Sequence, residues 1–291
     1  MRKFGYFFAA FLPVLLALGL QFIATFFMMG VAGLSLVLSG QSFGMEALSN
    51  MMLEDQNFNY VTMMVFSILC SMIFSLWYYY SCGGDFLPKL SETFSGMQLA
   101  GVIVIIPGAQ FACALIMGVI SIVMPSWMEQ YESLIENAGL GDTNTLPMLL
   151  YAVLLAPIGE ELIFRGVTMR LARQALPFWL ANLMQAALFG AFHMNWMQGC
   201  YAFALGFLLG FICEKGGSIY YSILMHMLFN IWGTIISPLL SGAENMVALG
   251  LIIILTTILS LGLGLFLFIF GIRRRKEKIA VMHSLHPLKD F

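Results

Sequence analysis

Long apolar stretches separated by short polar segments dominate the pattern of hydrophobic and polar positions along this 291-residue chain. A helix that crosses a bilayer needs about 20 mostly apolar residues, and no polar segment is long enough for a separate soluble domain. The pattern therefore predicts an all-α polytopic membrane protein, with about eight transmembrane helices in a single membrane domain over residues 1–291. The predicted spans are 5–37, 58–80, 98–124, 147–170, 179–196, 199–213, 218–239 and 246–272.

Two of these spans are unusual in their continuity or length. The first follows two basic residues, as a signal peptide does, but its apolar run is long and has no A-x-A-like cleavage site, so we interpret it as an uncleaved helix. Pro13 is expected to kink this helix, because proline lacks the backbone N–H. The sixth span is the shortest, and its outer turn is expected to lie below the membrane surface.

Charge placement predicts the orientation, because cytoplasmic loops collect Lys and Arg. The segments 39–57, 125–146 and 240–245 contain acidic residues but no Lys or Arg. We therefore predict that both termini are cytoplasmic, with a basic cytoplasmic tail over 273–291, in a bacterial plasma membrane. The basic residues all fall on the predicted inner side: Arg2, Lys3, Lys89, Arg165, Arg170, Arg173, Lys215, Arg273, Arg274, Arg275, Lys276, Lys278 and Lys289. The acidic residues of the outer segments are Glu46, Glu54, Asp55, Glu129, Glu132, Glu136, Asp142 and Glu244.

The segment between the third and fourth spans has its own apolar pattern. Trp127, Tyr131 and Leu134 recur at helical spacing, which predicts a short amphipathic helix on the membrane surface. This helix is expected to end near Gly139.

Composition excludes several classes of function. The chain is 60% hydrophobic and 10% charged, where soluble domains have roughly 25% charged residues, so the lipid bilayer is its solvent. A formal net charge of −2 and the lack of a basic face argue against nucleic-acid binding. The five cysteines are odd in number and most lie in apolar segments, which favours neither a disulfide framework nor a CxxC site.

The fourth span contains three ionisable residues, each of which is costly within a bilayer and is therefore a functional-site hypothesis. Glu161 and Arg165 are four residues apart with the acid first, the favourable order for an ion pair on a helix. Glu160 points about 100° away on the same helix. It is therefore free of Arg165 and is a candidate general base.

Two other spans each contribute a polar face. Phe189 and His193 share one face of the fifth span, and His226 and Asn230 share one face of the seventh. Together with Glu160 this set suits hydrolysis of an amide by water. The acid would take a proton from a water that His193 orients, while His226 and Asn230 would donate hydrogen bonds to the oxyanion.

Other interpretations of the same residues stay open. A single membrane histidine or asparagine often bonds a neighbouring helix as structural glue, and buried acids and histidines also serve ion transport. Glu160, His193 and His226 would in principle make a zinc site of the His₂Glu type, although no H-E-x-x-H motif occurs. We expect no cofactor, with zinc as the alternative.

At these positions the sequence resembles the CPBP family, also called Abi, which includes the type II CAAX prenyl proteases and many bacterial intramembrane endopeptidases. The resemblance covers residues 147–239, the predicted catalytic core. Three family motifs occur in order on separate spans, namely Glu160-Glu161-x-x-x-Arg165, Phe189-x-x-x-His193 and His226-x-x-x-Asn230.

The resemblance implies an eight-helix fold and a glutamate-type intramembrane protease that cuts a membrane-associated or lipidated peptide or protein. It leaves open the substrate, its prenylation and the oligomeric state. A non-catalytic scaffold or a bacteriocin-immunity protein that acts by partner binding is the alternative. By position in the motifs, Glu160 would be the catalytic acid/base, His193 would hold the water, His226 and Asn230 would form the oxyanion hole, and Glu161, Arg165 and Phe189 would support them.

Depth in the membrane imposes one condition on this site. A residue count places Glu160 nearer the cytoplasmic end of its span and His193 nearer the outer end of its own. The offset disappears if the fourth span continues through the arginines and if the turn between the fifth and sixth spans lies within the membrane. We therefore predict a site in the inner half to the middle of the bilayer.

Overall fold

Helices make up nearly all of the described chain, and no strand occurs among the described residues. The computed structural model describes residues 2–40, 44, 49–50, 56–81, 94–137, 145–236 and 246–285. We number the nine longest helices α1 (Arg2–Leu38), α2 (Gln56–Ser81), α3 (Gly96–Val123), α4 (Pro125–Asn137), α5 (Leu146–Ala175), α6 (Phe178–Phe192), α7 (Trp196–Gly216), α8 (Ile219–Ile236) and α9 (Met246–Leu285).

Seven of these helices are long and apolar enough to cross a membrane, by length and composition, and α6 is a shorter apolar helix. The predicted all-α polytopic membrane fold is confirmed, and the chain is a multi-pass membrane protein. The remaining helix, α4, confirms the amphipathic helix predicted around Trp127 and Tyr131. Its predicted end near Gly139 lies outside the described residues, as do Cys82, Lys89, Lys289 and the acids Glu46, Glu54, Asp55, Asp142 and Glu244.

The short membrane helix is α6, so the expectation that the sixth span would be the short one is wrong. With 15 residues, α6 is about 22 Å long, less than the roughly 30 Å of a bilayer core. It ends early because Met194 takes a left-handed conformation, with φ of 51°. Asn195 then caps α7 by accepting the N–H of Gln198 at 2.9 Å, which gives α7 a length of 21 residues.

The interruption of α1 follows from Pro13, as predicted. The helix breaks after Ala9 and restarts at Leu12, with Pro13 in the first turn of the second part. Proline is tolerated in a first turn because the N–H it lacks would have no helical partner there.

Two buried apolar clusters form the core, and the candidate site lies where they meet. The first joins α1, α2, α5 and α6 around Phe74, Phe164 and Phe189, and single residues of α7 and α8 also belong to it. The second joins α3, α7, α8 and α9 around Ile105 and Tyr221. Helix α5 thus faces α8 across the junction of the clusters.

Glycines allow the closest helix crossings. A Cβ on Gly101 of α3 would lie 2.6 Å from the backbone nitrogen of Phe268 in α9, and one on Gly190 of α6 would lie 2.5 Å from the carbonyl oxygen of Gly199 in α7. Small residues at such crossings let backbones pack closely in lipid. The Gly190–Gly199 crossing holds α6 against the start of α7, just beyond the turn that contains His193.

Basic residues from three helices, α5, α7 and α9, gather at one end of the bundle. Arg173 pairs with Glu214 at 3.2 Å, joining the end of α5 to that of α7. Lys215 lies 4.8 Å from the ring centre of Phe178, at the start of α6. In α9, Arg275 comes close to Gly217. These described positions agree with the predicted placement of the basic residues on one side.

The acidic helix α4 lies at the opposite end. It follows α3 directly, and its Trp127 stacks on Trp196 at the start of α7 with ring centres 5.4 Å apart. Tyr131 approaches Tyr201 with hydroxyl oxygens 3.4 Å apart. The predicted charge separation between the two ends is therefore present among the described residues.

Candidate active site

A fully buried ion pair lies at the centre of the site. Arg165 Nη1 donates to Glu161 Oε1 at 2.8 Å, and both side chains are completely shielded from solvent. The predicted i,i+4 pair is thus confirmed. Arg165 Nη2 donates to the carbonyl oxygen of Gly206 at 3.0 Å, and the guanidinium lies 4.6 Å from the ring centre of Phe189. The pair therefore ties α5 to α6 and α7.

His226 faces both carboxylates of α5. Its Nδ1 lies 2.9 Å from Glu161 Oε1, and its Nε2 lies 3.6 Å from Glu160 Oε2. A carboxylate paired with Arg165 is an acceptor, so Nδ1 of His226 is the donor. The other nitrogen is thereby directed at Glu160. Glu160 has no contact with Arg165, as predicted, but it has a neighbour in His226 that the helix-face argument did not predict.

Glu160 differs from Glu161 in its access to solvent. The Glu160 side chain keeps 19% of its surface exposed, while that of Glu161 is at 0%. Next to it, Gly159 packs closely against α2, where an added Cβ would lie 3.4 Å from the carbonyl oxygen of Ser67. Of the two carboxylates, only that of Glu160 is therefore partly exposed at the protein surface.

His193 is oriented by the last turn of α6. Its Nδ1 lies 2.8 Å from the carbonyl oxygen of Phe189, and a carbonyl only accepts, so Nδ1 carries the proton. The Nε2 atom is therefore left for a ligand or a water. The Phe189 ring meets the rings of His193 and His226 edge to face, with centres 4.9 and 5.9 Å apart. Glu160, Glu161 and His226 are in direct contact, and His193 adjoins them through Phe189.

The extension of α5 removes the predicted depth offset. The helix continues beyond residue 170 to Ala175, and α6 begins at Phe178. Glu160 lies fifteen residues before Ala175, and His193 lies fifteen residues after Phe178, so both are a similar distance from the turn that joins the helices. The first condition stated from the sequence is met, because α5 continues through the arginines to Ala175. The second, that the turn between α6 and α7 lies within the membrane, stays a prediction.

Asn230 bonds to an unusual part of α5. The segment Leu150–Leu155 is a π-helix, in which each N–H bonds five residues back, and Ala156 N–H bonds Tyr151 O in this register. In the same register, the Ala152 oxygen would accept from the N–H of residue 157, but that residue is proline and has no N–H. Asn230 Nδ2 instead donates to the free Ala152 oxygen at 2.7 Å. In a regular α-helix, Pro157 would instead leave the carbonyl oxygen of Val153 without its helical partner.

Polar side chains of α6 bond to each other and to the backbone of α7 next to the ion pair. Gln185 Nε2 donates to Gly206 O at 2.9 Å and to Asn182 Oδ1 at 2.8 Å, while Asn182 Nδ2 donates to Phe207 O at 2.9 Å. Gly206 O therefore accepts from both Arg165 and Gln185. Asn182 was not singled out by the sequence analysis. Its spacing of three residues from Gln185, in an apolar helix, was the available signal.

The zinc alternative fits the geometry poorly. In the parts of the chain that are described, no three His, Cys, Asp or Glu side chains are grouped so as to hold a metal ion. Glu160 and His226 approach each other, whereas Nδ1 of His193 bonds to the carbonyl oxygen of Phe189. Among the described residues these three side chains therefore do not form a zinc site.

All of the candidate residues fall within one region of similarity to known proteins. Residues 142–232 match the family described as Type II CAAX prenyl endopeptidase Rce1-like. This part of the chain is therefore similar to the Rce1-like family. The resemblance that the three motifs indicated is confirmed by this match.

A bacterial relative extends the comparison. The chain is similar to the uncharacterized protein YpbD of Bacillus subtilis (strain 168), with 27% identity over 94 residues. The match covers 32% of this chain and 48% of YpbD, so the chain spans about half the length of that relative. No solved structure matches the chain significantly. A bacterial membrane location agrees with the relative's origin.

Proposed function

We propose that this chain is an intramembrane endopeptidase that hydrolyses a peptide bond of a membrane-associated or lipidated peptide or protein. The observation that carries the proposal is the His226 imidazole between two carboxylates of different exposure, within an Rce1-like region. Residues 147–239 would be the catalytic core of a single membrane domain, 1–291, with 273–291 as a basic cytoplasmic tail.

Glu160 is the general base of the proposed reaction. It is the carboxylate with solvent access, and Arg165 does not neutralise it. A water between Glu160 and the free Nε2 of His193 would lose a proton to Glu160 while its oxygen attacks the scissile carbonyl carbon. His193 would orient this water by accepting its second hydrogen.

His226 and Asn230 stabilise the oxyanion that this attack creates. Glu161 accepts from Nδ1 of His226 and thereby directs Nε2 to the substrate side of Glu160. The imidazolium form, with a proton on each nitrogen, would donate from Nε2 to the oxyanion. Asn230 uses one of its two amide hydrogens on Ala152 O and keeps the second for the oxyanion. Preorganised donors of this kind stabilise developing charge without reorganising during the reaction.

Collapse of the tetrahedral intermediate completes the proton balance. The C–N bond breaks, and the proton that Glu160 took from water passes to the leaving amine nitrogen. Glu160 returns to its carboxylate form, and both products carry the normal protonation of a new carboxyl and a new amine terminus. Each residue of the set thus ends in its starting state.

The decisive experiment compares peptide termini in cells that carry wild type, Glu160→Gln or Glu214→Gln. Glu214 pairs with Arg173 at the end of α7, away from the site, and serves as the matched control. We expect at least one terminus present with wild type and Glu214→Gln and lost with Glu160→Gln, because removal of a general base costs about 10²–10⁴-fold in rate. If Glu160→Gln changes no terminus yet keeps the cellular phenotype, the chain acts as a non-catalytic scaffold or immunity protein.

Metal dependence needs a separate measurement. We propose that no cofactor takes part. The zinc content of the purified wild-type chain is measured by elemental analysis, together with that of Glu160→Gln and His226→Ala. We expect no stoichiometric zinc in any of the three proteins. Stoichiometric zinc that disappears in both variants would support the His₂Glu alternative.

A further inference from the structure

The polar contact between α8 and α5 depends on a carbonyl that two features of the backbone leave free. In an α register, Ala152 O would accept from Ala156 N–H, but that N–H bonds Tyr151 O. In the π register, Ala152 O would accept from residue 157, which is proline and has no N–H. Neither helical donor is available to the Ala152 oxygen, and Asn230 Nδ2 donates to it at 2.7 Å instead.

We propose that Pro157 is a positioning residue for catalysis, which acts by keeping the Ala152 carbonyl free to hold the carboxamide of Asn230. The proposal rests on the role of Asn230 as an oxyanion donor given above. Pro157 has no side-chain group that could take part in the reaction. It acts because it lacks the N–H that would otherwise donate to the Ala152 carbonyl oxygen at the end of the π-helix.

The geometry of Asn230 explains why such a contact matters. A carboxamide rotates about χ2 with broad preferences, so an asparagine held only by its backbone would sample many orientations. The bond to Ala152 O fixes one N–H and thereby directs the second. On the same helix, His226 is fixed by Glu161, so both donors of the proposed oxyanion hole are held by α5.

The substitution Pro157→Ala restores the missing N–H. In this variant the N–H of residue 157 would donate to the Ala152 carbonyl oxygen within the helix. Asn230 would then lose its acceptor. A helix-interior proline is normally destabilising, so the substitution is expected to leave the thermal stability unchanged or to raise it. The rate should nevertheless fall about tenfold, since Asn230 is no longer oriented. Higher stability combined with lower activity is not expected of a proline whose role is only structural.

The activity test is a double-mutant cycle in isolated membranes. It measures the initial rate at which the peptide terminus that requires Glu160 is formed. Pro157→Ala should reduce the rate in wild type and should change it by less than about twofold in the Asn230→Ala background, because coupled residues are not additive. Equal losses in both backgrounds, or no loss in wild type, would overturn the proposal. Pro107→Ala, a proline inside α3, is the matched control and should leave the rate unchanged.

A second cycle needs no enzymatic activity and separates this inference from the proposed function. Asn230→Asp keeps the side-chain size but removes the donor to Ala152 O. Its loss of unfolding temperature in detergent should be smaller in the Pro157→Ala background than in wild type. An equal loss in both backgrounds contradicts the positioning role even if the chain proves to be a protease. A reduced loss without any Glu160-dependent terminus supports the contact and contradicts the proposed function.

Pro157→Val provides the second variant, because it restores the same N–H with a side chain close to proline in volume. Both variants should accumulate in the membrane as wild type does. Failure of both to accumulate would show that proline serves the fold at this position and would overturn the proposal.

Discussion

His226 Nδ1 donates to Glu161 Oε1 at 2.9 Å, the same oxygen that accepts from Arg165 at 2.8 Å. One carboxylate oxygen therefore links a buried cation on its own helix to an imidazole on α8. Glu161 is surrounded by these two donors, while Glu160 keeps solvent access. The two adjacent glutamates thus differ in kind, since Glu161 holds the site together and Glu160 is available to react.

This difference predicts that two isosteric substitutions change the stability to different extents. Glu161→Gln leaves the buried Arg165 without its counterion, and breaking a buried pair costs about 3–5 kcal/mol. Glu160→Gln removes a partly exposed carboxylate with no arginine partner and should leave the unfolding temperature near that of wild type. Both variants should be inactive. Thermal unfolding in detergent separates them, and equal unfolding temperatures would contradict the assignment.

Removing both charges should cost less stability than removing one. In Glu161→Gln/Arg165→Met the buried cation is gone, so the double variant is expected to unfold at a higher temperature than Glu161→Gln alone. It will not regain activity, because His226 loses its carboxylate acceptor. The same unfolding measurement tests this, with Arg165→Met as the companion single variant. A double variant less stable than Glu161→Gln would show that Arg165 acts mainly through Gly206.

The pattern of the sequence was sufficient for features that depend on one helix, and insufficient for those that depend on two. The pair Glu161–Arg165 and the shared face of Phe189 and His193 follow from helical spacing, and the structure has both. The contact between Asn230 and α5 does not follow from spacing. It requires the π register of Leu150–Leu155, which no residue pattern indicated, and the packing of α8 against α5.

The length of α6 was missed for a different reason. The residues after His193 include Met194 and Trp196, which extend the apolar run as a membrane helix would. The helix ends there because Asn195 bonds the N–H of Gln198 and starts α7. A single capping side chain outweighs hydrophobic periodicity at that point. Because α6 ends at Phe192, His193 lies in the turn that follows the helix.

The orientation in the membrane remains a prediction, and cysteine labelling tests it. Glu132→Cys on α4 should react with a membrane-impermeant maleimide added to intact cells, and Lys276→Cys on α9 should react only after permeabilisation. Both positions are exposed in the structure. Labelling of the parental chain measures the contribution of the native cysteines. The reverse pattern would place the termini outside and invert the predicted topology.

A single methyl group at Gly206 should disturb the site without touching any catalytic atom. A Cβ there would lie 2.9 Å from Phe189 Cδ1 and 3.3 Å from Arg165 Nη2. Overpacking of this kind costs about 1–3 kcal/mol, so Gly206→Ala should lower the unfolding temperature. It should also lower the rate, because the displaced Phe189 ring contacts both His193 and His226. Gly262→Ala in α9, where an added Cβ meets nothing within 4 Å, is the matched control and should change neither quantity.

Replacing the Phe189 ring tests whether its displacement causes the losses of stability and rate expected for Gly206→Ala. Gly206→Ala/Phe189→Leu makes room for the added methyl group, so part of the lost stability should return relative to Gly206→Ala. The rate should not return, because leucine cannot present a flat ring edge between the two imidazoles. Recovery of both stability and rate would mean that Phe189 only fills space. Recovery of neither would place the strain at Arg165, whose guanidinium is the other near neighbour of the new methyl group.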